Sequence, residues 1–315
     1  MHELKNALLG AYEVRKTKAQ KDAFISWVKE YASKLGYETT VEEKGKMICS
    51  RNIIFGNAGK AKTLITAHYD TCPQLPFPNF MTPNCWTVII LTQLVLPLLL
   101  FGVCGGVVGY GVGRLMGAMD APPALAAILA SGGMSLLCFG LLALMMFGPA
   151  NPHTANDNTS GVAMVLLAMR EFAGREDVAF VLFDNEEKGL LGSSAFASAH
   201  PSAMRHAFVI NFDCVSDGDT LMYAYAKGAK VCPKTQEIIS VLEEKAPQYG
   251  KRAMHGQSPK VLYPSDQMVF KRGTAFAALK GKKILYLDRI HTPKDTVFDE
   301  SNLLCLMDVL KAVLS

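Results

Sequence analysis

Carboxylate and imidazole side chains recur in this chain just beyond apolar runs. His68 and Asp70 follow the run at 62–67, Glu186 and Glu187 follow 178–183, Asp213 follows 207–212, and His291 follows 284–287. Asp157 joins them from Asn156-Asp157-Asn158-Thr159-Ser160-Gly161, which leads into a helix-like stretch. Two adjacent carboxylates at the end of a buried strand repel. They raise one another's pKa or need a cation between them. Mixed histidine and carboxylate donors suit zinc, and an excess of carboxylates suits two metals sharing a bridge. Each member taken singly has a plainer role: Glu186-Glu187 can complement a helix start, and Asp157 or Asp213 can cap a helix. Their coincidence at strand ends favours the metal chemistry.

The elements that must position these residues follow from periodicity. Apolar residues Phe24, Ile25, Val28, Tyr31, Ala32 and Leu35 recur at helical spacing and stop at Gly36, so 18–35 is expected to be an amphipathic helix. Strands are expected at 37–41, 47–55, 62–67, 178–183, 207–212 and 284–287. Helices are expected at 162–172, 193–199, 235–244 and 302–314. Strands alternating with helices imply an α/β fold, a three-layer sandwich around a mixed, largely parallel sheet. In such sheets ligands bind beyond the carboxyl ends of the strands, where the acidic and imidazole residues cluster.

Charge is scarce in one block. Between Asp70 and Asp157 only Arg114 and Asp120 carry charge, and the runs 86–113 and 121–150 have none. Each run exceeds the about 20 residues a membrane-spanning helix needs. Pro122 and Pro123 stand at the start of the second, where a helix tolerates them, whereas Pro97 should kink the first. Gly102, Gly105, Gly106, Gly109 and Gly113 give overlapping GxxxG spacings, which would also let two copies pack as a homo-oligomer. The alternative is a helical hairpin buried in a soluble core. The domain expectation is a discontinuous body, 1–84 with 150–315, interrupted by a transmembrane hairpin at 85–149.

The remaining composition narrows the classes. A net charge of +4 with dispersed Lys and Arg excludes a nucleic-acid footprint. Eight cysteines without CxxC spacing read as small core hydrophobes in a reducing compartment. The amino terminus lacks a basic segment followed by an apolar one, so no signal peptide is expected. Arg114 argues for the short loop inside, but the basic first 85 residues argue more strongly for a cytoplasmic body in an integral membrane protein. A transporter built on two helices without internal ionisable groups is a poor alternative.

His68-x-Asp70, Asp157-Asn158-x-Ser160-Gly161, Asp184-x-Glu186-Glu187-x-Gly189-Leu190-x-Gly192-Ser193, Asp213, Ser265-Asp266 and His291-Thr-Pro-x-Asp295 resemble the M28 family of co-catalytic zinc aminopeptidases. The resemblance implies that His68, Asp157 and Asp213 hold one zinc and that Asp157, Glu187 and His291 hold a second, with Asp157 bridging. It implies that Glu186 is the general base and that Asp70 hydrogen-bonds the His68 imidazole. It also implies a cis bond after Asp157, a place for Ser265-Asp266 near the substrate pocket, and peptides with a free amino terminus as substrates. Cobalt or manganese would suit the same donors. Glutaminyl cyclases share this fold with a single zinc, and retention of His68 and Asp213 favours the peptidase. The M20 and M42 peptidases fit these runs less well. Other amidohydrolysis on the same two-metal site, endo- or carboxypeptidase action, or a non-catalytic scaffold are the alternatives.

Overall fold

The computed structural model describes residues 1–46, 48–75 and 79–314. The apolar runs become strands because both faces of the sheet are covered, so every position in them is buried. The strands are β1 (Thr39–Lys44), β2 (Ser50–Phe55), β3 (Thr63–His68), β4 (Val178–Phe183), β5 (Phe208–Phe212), β6 (Thr220–Tyr225), β7 (Arg252–Gln257) and β8 (Gly273–Leu279). They form one mixed sheet in the order β1-β2-β4-β3-β5-β8-β6-β7. Its centre, β4-β3-β5-β8, is parallel.

The helices of the first half are α1 (His2–Ala11), α2 (Lys18–Lys34), α3 (Trp86–Ile90), α4 (Leu96–Ala118) and α5 (Pro123–Phe147). Those of the second are α6 (Gly161–Glu171), α7 (Leu191–Ala199), α8 (Pro201–His206), α9 (Lys227–Lys230), α10 (Pro233–Lys245) and α11 (Glu300–Leu314). One face of the sheet packs Ile65, Phe180, Leu182, Ile210 and Phe212 against α1, α2, α6, α10 and α11. The opposite face packs Leu64, Val181, Phe183 and Val209 against α7 and α8. The result is the three-layer sandwich around a largely parallel sheet.

Three expectations change. The run 284–287 forms only isolated bridges, Lys280 with Tyr286 and Leu287 with Met81, because the chain turns back on itself at Gly281, whose φ is 92°. Strands β6, β7 and β8 and helix α1 were not anticipated. The start of the strand expected at 47–55 lies at Met47, outside the described residues, and β2 begins at Ser50.

The apolar block is a helical hairpin with none of the burial a soluble core would give it. Apart from Met116, the described residues of α3, α4 and α5 are half-buried or exposed. Leu136, Phe139 and Tyr110 are more than 70% exposed, at 75%, 71% and 72%. The buried-hairpin alternative is therefore overturned. Both long helices are long and apolar enough to cross a membrane. Pro97 is preceded by a wide turn at Leu91–Val95, which accommodates its missing N–H. Where α4 meets α5, a Cβ on Gly105 would lie 3.1 Å from Met134 and one on Gly133 would lie 3.3 Å from Val108. Gly102, Gly106, Gly109 and Gly113 meet nothing within 4 Å.

Candidate metal centre

Strand β3 lies between β4 and β5, so the chain departs from it first to one side and then to the other. That reversal leaves a crevice above the carboxyl ends of all three strands. His68 ends β3 level with Phe183 of β4, to which it is paired. The Glu186-Glu187 turn and Asp213 follow from the neighbouring strands.

The turn after β4 is held by its own sequence. Asp184 accepts from the backbone N–H groups of Arg51 (3.0 Å) and Asn185 (2.9 Å) and pairs with the buried Lys21. Asn185, Gly189 and Leu190 are left-handed, with φ of 56°, 89° and 60°. Asparagine and glycine take that conformation at least cost. A Cβ on Gly192 would sit 2.0 Å from the Asp184 carbonyl oxygen, so only glycine lets α7 start there.

Asp70 clamps the same turn from β3. Its carboxylate accepts from the backbone N–H of Glu186 (3.0 Å) and Glu187 (3.4 Å). The imidazole partner is the Asp70 carbonyl rather than the expected carboxylate: His68 Nδ1 lies 3.1 Å from the carbonyl and 3.7 Å from the carboxylate. The carboxylate is committed to the turn, so the tautomer is set by the main chain.

Residues 155–161 carry the central carboxylate. Asp157-Asn158 is cis, as anticipated. Asp295 accepts from the N–H groups of Asn156 (2.8 Å) and Asp157 (3.0 Å). Asn156 accepts from Ser216 (2.8 Å) and Asp217 (3.0 Å), and Ser160 accepts from Val215 (3.0 Å), which ties this segment to the loop after Asp213. A Cβ on Gly161 would lie 2.3 Å from the Phe212 carbonyl oxygen.

These supports bring all five expected ligands together. His68 Nε2 is 3.4 Å from Asp157 Oδ1 and 3.5 Å from Asp213 Oδ1. His291 Nε2 is 3.1 Å from Asp157 Oδ2 and 3.3 Å from Glu187 Oε2. His68, Asp157 and Asp213 form one group whose ligand atoms lie within 4.8 Å of one another, and Cys72, Asp157, Glu187 and His291 form a second. Glu187 Oε1 and Asp213 Oδ1 are buried without a hydrogen-bond partner among the described residues. Acceptor-only oxygens converging in this way fit a cation. Glu186 groups with His68 and Glu187 and lines the same cleft, of about 490 Å3. Asp266 is buried behind it, next to Ser265, which accepts from Asn211 (3.1 Å).

The electrostatics are those of a cluster short of positive charge. Burial pushes Glu187 up to about 8, with Asp157 adding to it, and pushes Glu186 well above the carboxylate range, with Glu187 and Asp266 adding. Burial opposes charge on His291, yet Glu187 and Asp157 carry it up to about 9. Asp157 is lowered despite burial, because both imidazoles face it. Asp266 and Asp295 are each pushed up to about 7 by burial.

Three residues here were missed by sequence reasoning. Cys72, treated as a core hydrophobe, stands beside the second group, four positions beyond His68. Arg15 is fully buried, donating to the Tyr69 carbonyl (2.6 Å) and to Thr159 (3.2 Å), beneath the segments that carry Asp70 and Asp157. Asp295 stood in the resembling run without a role.

The sequence profile of peptidase family M28 matches residues 144–311. The chain belongs to peptidase family M28. That match spans Asp157, Glu186, Glu187, Asp213 and His291 and begins at the end of the hairpin. Among solved structures, this M28 chain is similar to the Porphyromonas gingivalis glutaminyl cyclase, at a TM-score of 0.59 and 18% identity, covering 99% of this chain and 94% of that one. It is also similar to a leucine aminopeptidase precursor from Bacteroides thetaiotaomicron, at 0.56 and 16%, covering 98% and 93%. These likenesses are of fold. No curated protein matches the chain.

Proposed function

We propose that this M28 chain is an aminopeptidase with a two-zinc centre, anchored in a membrane by its apolar hairpin with the catalytic body in the cytoplasm. The observation that carries the reading is Asp157, whose two oxygens face different donor sets, Oδ1 with His68 and Oδ2 with His291. A carboxylate so placed can bridge two cations. His68, Asp157 and Asp213 would hold one, and Asp157, Glu187 and His291 the other. Cobalt or manganese would suit the same donors. Such a pair supplies Lewis acidity that polarises a carbonyl and acidifies water.

The chain's own residues do the rest. Glu186 takes a proton from the water that attacks the peptide carbonyl and returns it to the departing amine. In the metal-free chain burial, with Glu187 and Asp266 adding, holds its carboxyl well above the usual range. Asp70 is a positioning residue that keeps Glu186 and Glu187 in register with His68. The excess of carboxylates around the cleft favours a substrate with a free, cationic amino terminus. Both ends of the hairpin lie near this cleft, which supports peptides at the membrane surface as substrates. Outward-facing glycines on α4 would permit a homo-oligomer in the bilayer.

The test is hydrolysis of free-amine and N-acetylated peptides by detergent-solubilised, zinc-loaded protein beside Glu186→Gln. Cleavage confined to free amino termini and lost in the variant is expected, with two zinc ions per chain. Cleavage of blocked peptides would redirect the assignment to an endo- or carboxypeptidase. The likeness to a glutaminyl cyclase supports one second reading, in which peptides beginning with glutamine are cyclised rather than hydrolysed. A glutamine-leading peptide in the same panel separates the two.

A further inference from the structure

The cleft above the metal cluster is not closed by the M28 body alone. Its wall includes Ile89 of α3, Thr92 of the wide turn that follows, and Met145 of α5, facing Leu75, Leu262 and Ile290 of the body. Ile89 and Thr92 are three residues apart and therefore share a helix face. The Thr92 hydroxyl donates to the Val88 carbonyl (2.8 Å), so its one donor is committed within the helix. Among the described residues, every charged side chain lining the cleft belongs to the cluster itself: His68, Asp157, Glu186, Glu187, Asp213 and His291. A charged substrate side chain would find no counter-charge on the opposite wall, whereas an apolar one would find matching surface.

The wall is firmly mounted. Met81 and Leu287 exchange backbone hydrogen bonds at 2.9 and 2.8 Å. The Trp86 indole donates to the Pro259 carbonyl (3.1 Å), and the Leu262 N–H donates to Pro83 (2.8 Å). On the returning side Pro73 bridges Ala150. Trp86 and the segment leading into the hairpin thus meet the body at three places, and the chain returns to it beside Pro73.

We infer that the base of the apolar hairpin forms the pocket for the side chain of the substrate's first residue, and that this residue is large and apolar, such as leucine, methionine or phenylalanine. The inference rests on the aminopeptidase reading and gives it a substrate class. Ile89 and Met145 are specificity-determining residues, and the hairpin is a functional wall as well as an anchor.

Calorimetric binding of L-leucinol, L-alaninol and L-lysinol to the full-length, zinc-loaded protein in lipid nanodiscs tests it. These amino alcohols keep the amine and side chain but have no bond to cleave. Leucinol should bind on the order of ten- to a hundredfold more tightly than alaninol, the range a few buried carbons give a hydrophobic pocket. Ile89→Ala and Met145→Ala, made singly, should each reduce that ratio severalfold. Leu136→Ala, on the outward face, should leave it unchanged. Met145→Asp should draw in lysinol. A ratio unaffected by either pocket variant while zinc stays bound, or a wild type that prefers lysinol, would overturn the inference. Selective leucinol binding without hydrolysis of any free-amine peptide would instead sink the aminopeptidase reading and leave the pocket standing.

Discussion

The body and the hairpin solve opposite problems. In the body, polar and charged groups lie deep inside, and most are held by several partners. Asp184 has Lys21, two backbone N–H groups and a turn built around it, and Asp70 has two N–H groups of its own. In the hairpin, many large apolar side chains lie exposed, and charge is absent from both long apolar stretches. Buried charge is tolerable only where it is paired and hydrogen-bonded, and exposed apolar surface on this scale needs another apolar phase. The contrast teaches where each region's sensitivity lies. The body should fail by loss of single polar contacts, and the hairpin by gain of charge.

The largest effect expected on that contrast is Glu186→Gln, which should lower kcat by about 10²–10⁴-fold with zinc content unchanged. Loss of zinc with activity would place Glu186 among the ligands instead. Lys21→Met strands the buried Asp184 and should cost about 3–5 kcal/mol of stability in denaturant unfolding. An unchanged midpoint would mean that the backbone N–H groups suffice. Asp295→Ala orphans the N–H groups of Asn156 and Asp157, and about 1–3 kcal/mol for each such group is expected, together with weaker metal retention on dialysis.

Metal-free protein should respond to pH in a defined direction. Glu187 rises from 4.5 to about 8 and His291 from 6.5 to about 9 on folding, so the folded state holds both protons more tightly. Their contribution is complete below the unfolded values and disappears as pH climbs through about 8 and about 9. Stability of the chelated protein should fall across that window, while metal affinity rises as the protons give way. Thermal melts from pH 5 to 9 with and without zinc would show it. The smallest effect belongs to Leu136→Ala, within about 0.5 kcal/mol because its side chain is 75% exposed. Leu136→Arg, by contrast, should impair membrane insertion.

The same contrast governs what was legible beforehand. Central strands β3, β4 and β5 were plain because continuous apolar runs of their length have few other fates, and the hairpin was plain because nearly ninety residues with two charges have fewer still. Strand β7 was hidden by its exposed edge position and mixed composition, RAMHGQ, and β6 and β8 by threonine and alanine that carry no clear period. The ligand candidates followed from motif and strand ends. Their supports did not: Asp295 meets residues 138 and 139 positions away, and Arg15 reaches across 144 to Thr159, distances over which no local pattern speaks. The Asp70 contact was misassigned because side-chain type suggested the carboxylate, whereas chain geometry presented the carbonyl.

The bridge between Pro73 and Ala150 has a consequence of another kind. The chain leaves the body and returns to it through one doorway, two backbones about 5 Å apart. The hairpin at 85–149 is, in architectural terms, a cassette beyond that doorway, and a linker from Asn84 back to Ala150 could replace it without rethreading the sheet, leaving Leu75, Met81 and Thr82 in the cleft. A version shortened between those two residues should fold as a water-soluble body with its ligands in place, yet with one side of its cleft missing. Solubility and selectivity would then be exchanged in a single cut.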